Sequence, residues 1–156
     1  SNIKGKGICS GRGGCTINEV LLRIPNELPF IRPEYVMVTI GTNGGNTEEN
    51  LSRLVEYILS QGSVPILNNI PCNESGTQVG VNAIIAKVRT KYGLKGCMFD
   101  MATSLAGDGM EVDKSMMFWE NYPPEIFNGW QVWHHPNENG GTAMYLRSRQ
   151  DVPELY

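Results

Sequence analysis

The distribution of apolar and polar residues predicts strands and helices that alternate along most of the chain. Residues 35–40 form an almost continuous apolar and β-branched run, typical of a strand buried on both faces, and residues 64–67 form a second, shorter run. Between them, apolar residues recur at helical spacing over 51–59, with Thr47 as the predicted N-cap and Gly62 as the C-terminal stop. The three segments have the order and spacing of a βαβ unit.

The flanking segments extend this alternation in both directions. Thr16 and Glu19 have the spacing of a capping box and predict a short helix that starts after Thr16. Helical spacing returns over residues 81–92, and Gly93 is the predicted end of that helix. Residues 97–100, Cys-Met-Phe-Asp, then predict a third parallel strand.

Regular alternation is lost after Ala102, and the stretch to Asn139 is rich in glycine, proline and aromatic residues. Such a stretch is typical of a long loop region that carries function. A last helix is expected to begin near Gly141. The pattern therefore predicts one domain over residues 1–156, an α/β fold with helices on both faces of a mostly parallel sheet.

The composition limits which partners the chain can have. With 156 residues, 40% of them apolar, it has the size and apolar content for one folded core. No apolar run approaches the roughly 20 residues that span a bilayer, so no membrane span is predicted. The net charge of −3 lacks the basic footprint that phosphate backbones require. Nucleic acid is therefore not an expected partner.

The four cysteines have no paired Cys-x-x-Cys spacing, so neither a metal site nor another cofactor is predicted from them. They are expected to be buried or free thiols. A disulfide between Cys9 and Cys15, which are close in sequence, stays open for an exported protein.

Asn43 is the first candidate for chemistry, because it lies in the glycine-rich loop after the first predicted strand. Ligands of parallel sheets gather at the carboxyl ends of strands, and a carboxamide there can donate to a developing oxyanion, worth about 3 kcal/mol in comparable sites. The alternative is that Asn43-Gly44 forms only a turn, since this dipeptide readily adopts positive φ.

The only two histidines, His134 and His135, stand directly before Pro136-Asn137. A histidine suits general-base catalysis because its ordinary pKa lies near 6.5. Metal binding and a purely structural role remain alternatives. A third segment, residues 11–16, is a glycine-rich turn whose backbone N–H groups could bind an anion, although it lacks the Lys-Ser/Thr ending of a P-loop.

Taken together, in this order and spacing, the three segments resemble the sequence blocks of the SGNH (GDSL-type) hydrolases. Gly14-Cys15-Thr16 is similar to that family's second block, Gly41-Thr42-Asn43 to its third, and His135-Pro136-Asn137 to its fifth. The resemblance implies a three-layer α/β/α sandwich of the flavodoxin-like type and a serine esterase or lipase, with a secreted or periplasmic location favoured. It implies that the Gly14 N–H and Asn43 form the oxyanion hole and that His135 is the catalytic base.

The sequence departs from the family in three places. It has no Gly-Asp-Ser block, Gly44 replaces the usual aspartate after Asn43, and Val132 stands where the triad aspartate would precede His135. We expect the nucleophilic serine and the first strand to lie upstream of residue 1, with Ser10 as a weaker alternative. The chain alone is then expected not to be a stable, active monomer, because the strand must come from an upstream segment or another copy.

The expected substrate is a carboxylic ester. Trp119, Trp130 and Trp133 precede or flank the histidines and could stack on sugar rings, which suggests acetylated carbohydrate. Alternatively, these aromatic residues only anchor a long loop, and a lipid or another small acyl ester stays open as the substrate. Two competing functions remain open. One is a non-catalytic carbohydrate-binding or interaction module that keeps the SGNH fold, and the other is a nucleotide-binding flavodoxin-like domain.

Overall fold

A computed structural model describes Gly7 and residues 15–156. Gly14, Cys9 and Ser10 lie outside the described residues, and so do the predictions made for them. The described helices and strands are α1 (Ile17–Arg23), α2 (Leu28–Ile31), β1 (Tyr35–Val38), α3 (Glu48–Ser60), β2 (Val64–Leu67), α4 (Gln78–Lys91), α5 (Phe99–Thr103), β3 (Met117–Asn121), β4 (Gln131–Pro136) and α6 (Glu138–Asp151).

Strands β1 and β2 form a short parallel sheet, as predicted, with Tyr35 opposite Val64 and Val38 opposite Leu67. Pro65 has no backbone N–H to donate. It is tolerated within β2 because hydrogen bonds on the side away from β1 begin only at Leu67, whose N–H donates to the Lys95 carbonyl. The mixed α/β prediction is confirmed, although the sheet is small.

The predicted third strand over residues 97–100 is wrong in its bounds. The backbone N–H groups of Leu67 and Asn69 donate to the carbonyls of Lys95 and Cys97, so an extended segment does lie beside β2. This extended segment ends before the predicted residues 99–100, and the Cys97 N–H donates to the side-chain oxygen of Asn68 (2.8 Å) instead of to a strand carbonyl. Helix α5 begins directly afterwards.

Successive side chains of β2 enter two different apolar cores, as expected for a strand covered on both faces. Leu67 belongs to the core formed with α1, α3 and α4, whereas Ile66 packs with Phe99, Val152 and Leu155 near α5 and α6. Helices therefore cover both faces of the parallel pair. This is the layered arrangement that the apolar runs predicted.

The predicted helix signals are confirmed at three helices. The Oγ1 atoms of Thr16 and Thr47 accept backbone N–H groups at the starts of α1 and α3. Gly62 and Gly93 follow α3 and α4 with φ of +82° and +63°, a backbone conformation that glycine adopts without a Cβ clash.

The region predicted to be one long loop instead contains an antiparallel hairpin, β3–β4. The two strands bury Met117 and Val132, and Met117 packs against Cys72 and Val112 outside the hairpin. The last helix, α6, begins at Glu138 rather than near Gly141, because Asn137 is its N-cap and accepts the Gly140 N–H (3.1 Å). Both histidines therefore lie on strand β4.

Within the described residues, β1 has hydrogen-bonded strand partners on one side only. The upstream strand expected from the family resemblance stays a prediction. Over the same residues, no helix combines the length and apolar character needed to cross a membrane.

Replacing Gly96 with alanine should destabilise the fold, because a Cβ there would lie 1.9 Å from the Leu67 carbonyl oxygen. We expect Gly96→Ala to lower the free energy of unfolding by about 1 to 3 kcal/mol, as overpacking typically does. Gly80→Ala is the matched control: its Cβ meets nothing within 4 Å, and it lies inside α4. That substitution should stabilise by about 0.5 to 1 kcal/mol. Urea denaturation measures both, and equal midpoints for the two variants would contradict the packing of this segment against β2.

Candidate active site

The central feature of the candidate site is a pair formed by His135 and Glu120. Nδ1 of His135 lies 2.8 Å and 2.9 Å from the two carboxylate oxygens of Glu120, and the His135 backbone N–H donates to the same carboxylate (3.1 Å). The His135 side chain is 65% exposed, whereas that of Glu120 is only 17% exposed. The carboxylate therefore holds the ring from the protected side.

This contact assigns the tautomer of His135. A carboxylate only accepts hydrogen bonds, so the proton of a neutral His135 ring lies on Nδ1. Nε2 is then left with a free lone pair. This is the state that a general base needs.

The position of Glu120 follows from a bulge in the hairpin. Met117 pairs with Pro136 and Trp119 with Trp133, so β4 has one more residue than β3 between these two pairs. The extra residue falls at His134-His135. A bulge redirects side chains locally, and here it is associated with both Glu120 and His135 meeting on one face.

Tyr122 completes the environment of Glu120 by donating its hydroxyl to Oε1 (2.8 Å). Burial works to raise the pKa of Glu120, but the hydrogen bonds from Tyr122 and His135 outweigh it, and the pKa lies below its ordinary value. Glu120 is therefore a stable anion at neutral pH.

Further hydrogen bonds hold β4 at two places, one to the loop after β2 and one to the start of β3. Glu74, in the loop after β2, donates its N–H to the Trp133 carbonyl (2.9 Å) and accepts the Trp133 N–H on Oε2 (3.0 Å). At the other end of β4, Asn137 donates from Nδ2 to the carbonyls of Ser115 and Met117. His135 lies between these two attachments.

Asn43 is exposed in the loop after β1, and its Nδ2 lies 3.5 Å from the carbonyl oxygen of Cys15. It therefore lies beside the residue that follows Gly14. Because β1 and β2 are parallel, the loop with Asn43 and the loop with Glu74 leave the same edge of the sheet. The segment around Asn43 and the hairpin with His135 are thus both attached to that edge.

His134 differs sharply from its neighbour. Its Nδ1 is buried and has no hydrogen-bond partner among the described residues, and its ring contacts those of Trp130 and His135 (centroids 5.2 and 4.7 Å). Burial, and then the charge of His135, hold the pKa of His134 below its ordinary value. His134 is therefore a neutral packing residue.

The three tryptophans do not form one surface. Trp119 and Trp133 face each other across the strands with ring centroids 5.1 Å apart, and Trp119 is 49% exposed. Trp130 stacks on Tyr122 instead, at 6.4 Å. Since neighbouring residues of a strand point to opposite faces, Trp130 lies on the Glu120 face of the hairpin and the other two tryptophans on the reverse face.

In the described part of the chain, this site included, no group of three or more His, Cys, Asp or Glu side chains could hold a metal ion. Cys72 and Cys97 are buried free thiols, and burial raises the pKa of each to about 11. They are accordingly unreactive thiols of the core.

Glu120 and Glu74 are the site residues that sequence reasoning missed. The sequence directed attention to position 132, where the family has its aspartate, and Val132 is the residue that pairs with Glu120 across the hairpin. The signal that could have found Glu120 was the pair of aromatic, strand-forming runs 117–122 and 130–135, separated by Pro123-Pro124 and Gly129.

Solved structures resemble the fold of this chain, whereas neither a family model nor a curated protein matches its sequence. A GDSL-like lipase from Bacteroides thetaiotaomicron matches with a TM-score of 0.68 and 14% identity, over 92% of this chain and 73% of its own. LAE5, an α/β hydrolase enzyme from the metagenome of Lake Arreo, Spain, matches with a TM-score of 0.68 and 16% identity, over 92% and 70%. The OSK domain of Drosophila Oskar matches with a TM-score of 0.64 and 17% identity, over 89% and 71%.

The chain has a GDSL-like hydrolase fold. The resemblance inferred from three short motifs is thereby confirmed for the fold. At identities of 14 to 17%, the GDSL-like architecture is what the comparison shows.

In this GDSL-like fold, Gly140 allows α6 to approach the hairpin that carries His135. A Cβ at Gly140 would lie 2.3 Å from the Met116 carbonyl oxygen and 2.9 Å from Pro136 Cβ, whereas a Cβ at Gly141 meets nothing within 4 Å. We expect Gly140→Ala to destabilise by about 1 to 3 kcal/mol and Gly141→Ala to stabilise by about 0.5 to 1 kcal/mol. Thermal melting distinguishes them, and a Gly140→Ala variant as stable as Gly141→Ala would contradict this packing.

The burial of His134 predicts a pH dependence of stability in the GDSL-like domain. The pKa of His134 is lowered on folding, so between its ordinary value and the lowered one the unfolded state binds more protons. Stability should therefore fall as the pH drops below about 6.5. His134→Phe keeps a ring beside Trp130 but removes this titration. Its melting temperature should fall less than that of the wild type between pH 8 and pH 5.5, and equal falls would show that His134 is not buried in its neutral form.

Proposed function

We propose that the protein hydrolyses carboxylic esters, with His135 as general base and Glu120 as the carboxylate that orients it. The observation that carries the proposal is the Glu120–His135 pair, in which both carboxylate oxygens lie within 2.9 Å of Nδ1 while the ring stays exposed. The GDSL-like fold supports the same reaction class. Glu120 fills the role for which Val132 is chemically unsuited.

In this proposal, a serine hydroxyl that is not among the described residues attacks the acyl carbon, and Nε2 of His135 takes its proton. Glu120 stabilises the imidazolium that forms, and Asn43 Nδ2 with the Gly14 N–H binds the oxyanion. His135 then returns the proton to the leaving alcohol, which leaves an acyl-enzyme. A water molecule activated by the same histidine hydrolyses this intermediate and restores the serine.

Acetylated carbohydrate has weaker support as the substrate than a carboxylic ester in general. The idea rested on Trp119, Trp130 and Trp133 acting together, but the strand alternation puts Trp130 on the other face of the hairpin. A sugar ring that stacks on the exposed Trp119 would lie on the side away from Glu120.

A non-catalytic interaction module with the same fold is the second candidate. It is favoured by the lack of a Gly-Asp-Ser block in the sequence and by the similarity to the OSK domain, which is not named for an enzyme activity. The Glu120–His135 pair argues for the enzyme, since a module that only binds has no need of an exposed histidine whose Nδ1 is held by a largely shielded carboxylate.

We expect Asn43→Ala and His135→Ala, each made in the full-length protein, to lower kcat for p-nitrophenyl acetate by roughly 10²-fold or more. Glu120→Gln should also lower kcat, by at least about tenfold, because an amide no longer stabilises the imidazolium. Glu125→Gln, an exposed glutamate in the same hairpin, is the matched control and should leave kcat unchanged. Substitution of His134 should matter much less than substitution of His135.

The outcome that contradicts the enzyme is hydrolysis that none of these variants alters, or no hydrolysis by a wild-type protein that is shown to be folded. Higher activity loss in a His134 variant than in His135→Ala would move the base to His134. Equal activity of Glu120→Gln and Glu125→Gln would remove Glu120 from the mechanism.

A further inference from the structure

Phe127 has an unusual backbone for an aromatic residue. Its φ is +49°, and Asn128 and Gly129 follow with φ of +56° and +74°. Asparagine and glycine adopt this left-handed region readily, but a bulky side chain does so at a conformational cost. Such a residue calls for an explanation in packing or in function.

Burial does not explain it, because Phe127 is 67% exposed. Its ring makes edge contacts with Tyr122 (centroids 5.1 Å apart, interplanar angle 86°) and Trp130 (6.5 Å, 77°). The rest of the ring is open to solvent. Little apolar area is removed from water in return for the strained backbone. The turn holds an apolar ring outwards at a defined place.

The two aromatic residues that contact Phe127 are each linked to the Glu120–His135 pair. Trp130 contacts the His134 ring, which contacts the His135 ring, and the Tyr122 hydroxyl donates to Glu120. The aromatic cluster of Tyr122, Phe127 and Trp130 and the candidate catalytic pair therefore form one continuous face of the hairpin.

The chemistry of the cluster favours an uncharged, apolar ligand. The Tyr122 hydroxyl already donates its hydrogen to Glu120, and Nδ1 of His134 is buried, so neither group offers an accessible hydrogen-bond donor to a sugar oxygen. A phenyl ring offers no hydrogen bond of its own. Glu125 adds negative charge to the same loop, which disfavours anions.

We propose that Phe127 and Trp130 form a subsite for an apolar group of the substrate, an acyl chain, on the face of the hairpin that carries Glu120 and His135. The assignment of this group to an ester rests on the proposed function. The binding of an apolar group does not, since it requires no nucleophile.

The test is a titration of tryptophan fluorescence with hexanamide, an uncharged six-carbon acyl amide, and separately with xylotriose. Hexanamide should bind saturably to the wild type, and Phe127→Ala should weaken its binding roughly tenfold, as expected for the loss of an aromatic contact. Phe30→Ala is the matched control, because Phe30 is also an exposed phenylalanine (82%) but lies on α2. It should bind hexanamide as the wild type does.

Phe127→Gly guards against a folding defect. It removes the same ring but accepts the positive φ, so it should melt at a higher temperature than Phe127→Ala while binding hexanamide equally poorly. Wild-type affinity in either Phe127 variant, tighter binding of xylotriose than of hexanamide, or no saturable binding to the wild type would each overturn the proposal. Hexanamide binding that depends on Phe127, together with no ester hydrolysis, would support the subsite and contradict the proposed function.

Discussion

One side chain, that of Asn137, joins the three elements on which the candidate site depends. Its Oδ1 caps α6 through the Gly140 N–H, and its Nδ2 donates to the carbonyls of Ser115 and Met117 at the start of β3. Because Asn137 directly follows β4, this single amide fixes α6, β3 and β4 relative to one another. That junction lies next to the bulge that brings Glu120 and His135 onto one face of the hairpin.

The carboxylate that orients His135 therefore comes from the opposite strand rather than from the residues just before the histidine. Position 132 is occupied by a buried valine that supports the hairpin, and Glu120 stands directly across from it. A buried Val132 contributes about 1.5 to 3 kcal/mol of apolar burial, which an aspartate there would forgo. The hairpin thus separates two roles, packing and orientation, that a local Asp-x-x-His segment would combine.

The parts of the fold that could be predicted are those with local physical causes. Helices α3 and α4 are specified by apolar spacing and by Gly62 and Gly93, which act within one turn of the chain. Spacing within one turn of the chain does not specify the hairpin, since its strands are held by pairing between residues 10 to 19 positions apart. His135 could be identified from the sequence because its signal, the following proline, is local. Glu120 could be identified only from the pairing of β3 with β4.

The two adjacent histidines are suited to different tasks by their surroundings. Formation of an imidazolium at His135 would be opposed by a second positive charge 4.7 Å away. Burial keeps that charge from forming, because it lowers the pKa of His134 and leaves its ring neutral. The carboxylate of Glu120 hydrogen-bonds directly to Nδ1 and to the backbone N–H of His135, whereas His134 makes no such contact. The neutral ring of His134 thus packs between the rings of His135 and Trp130.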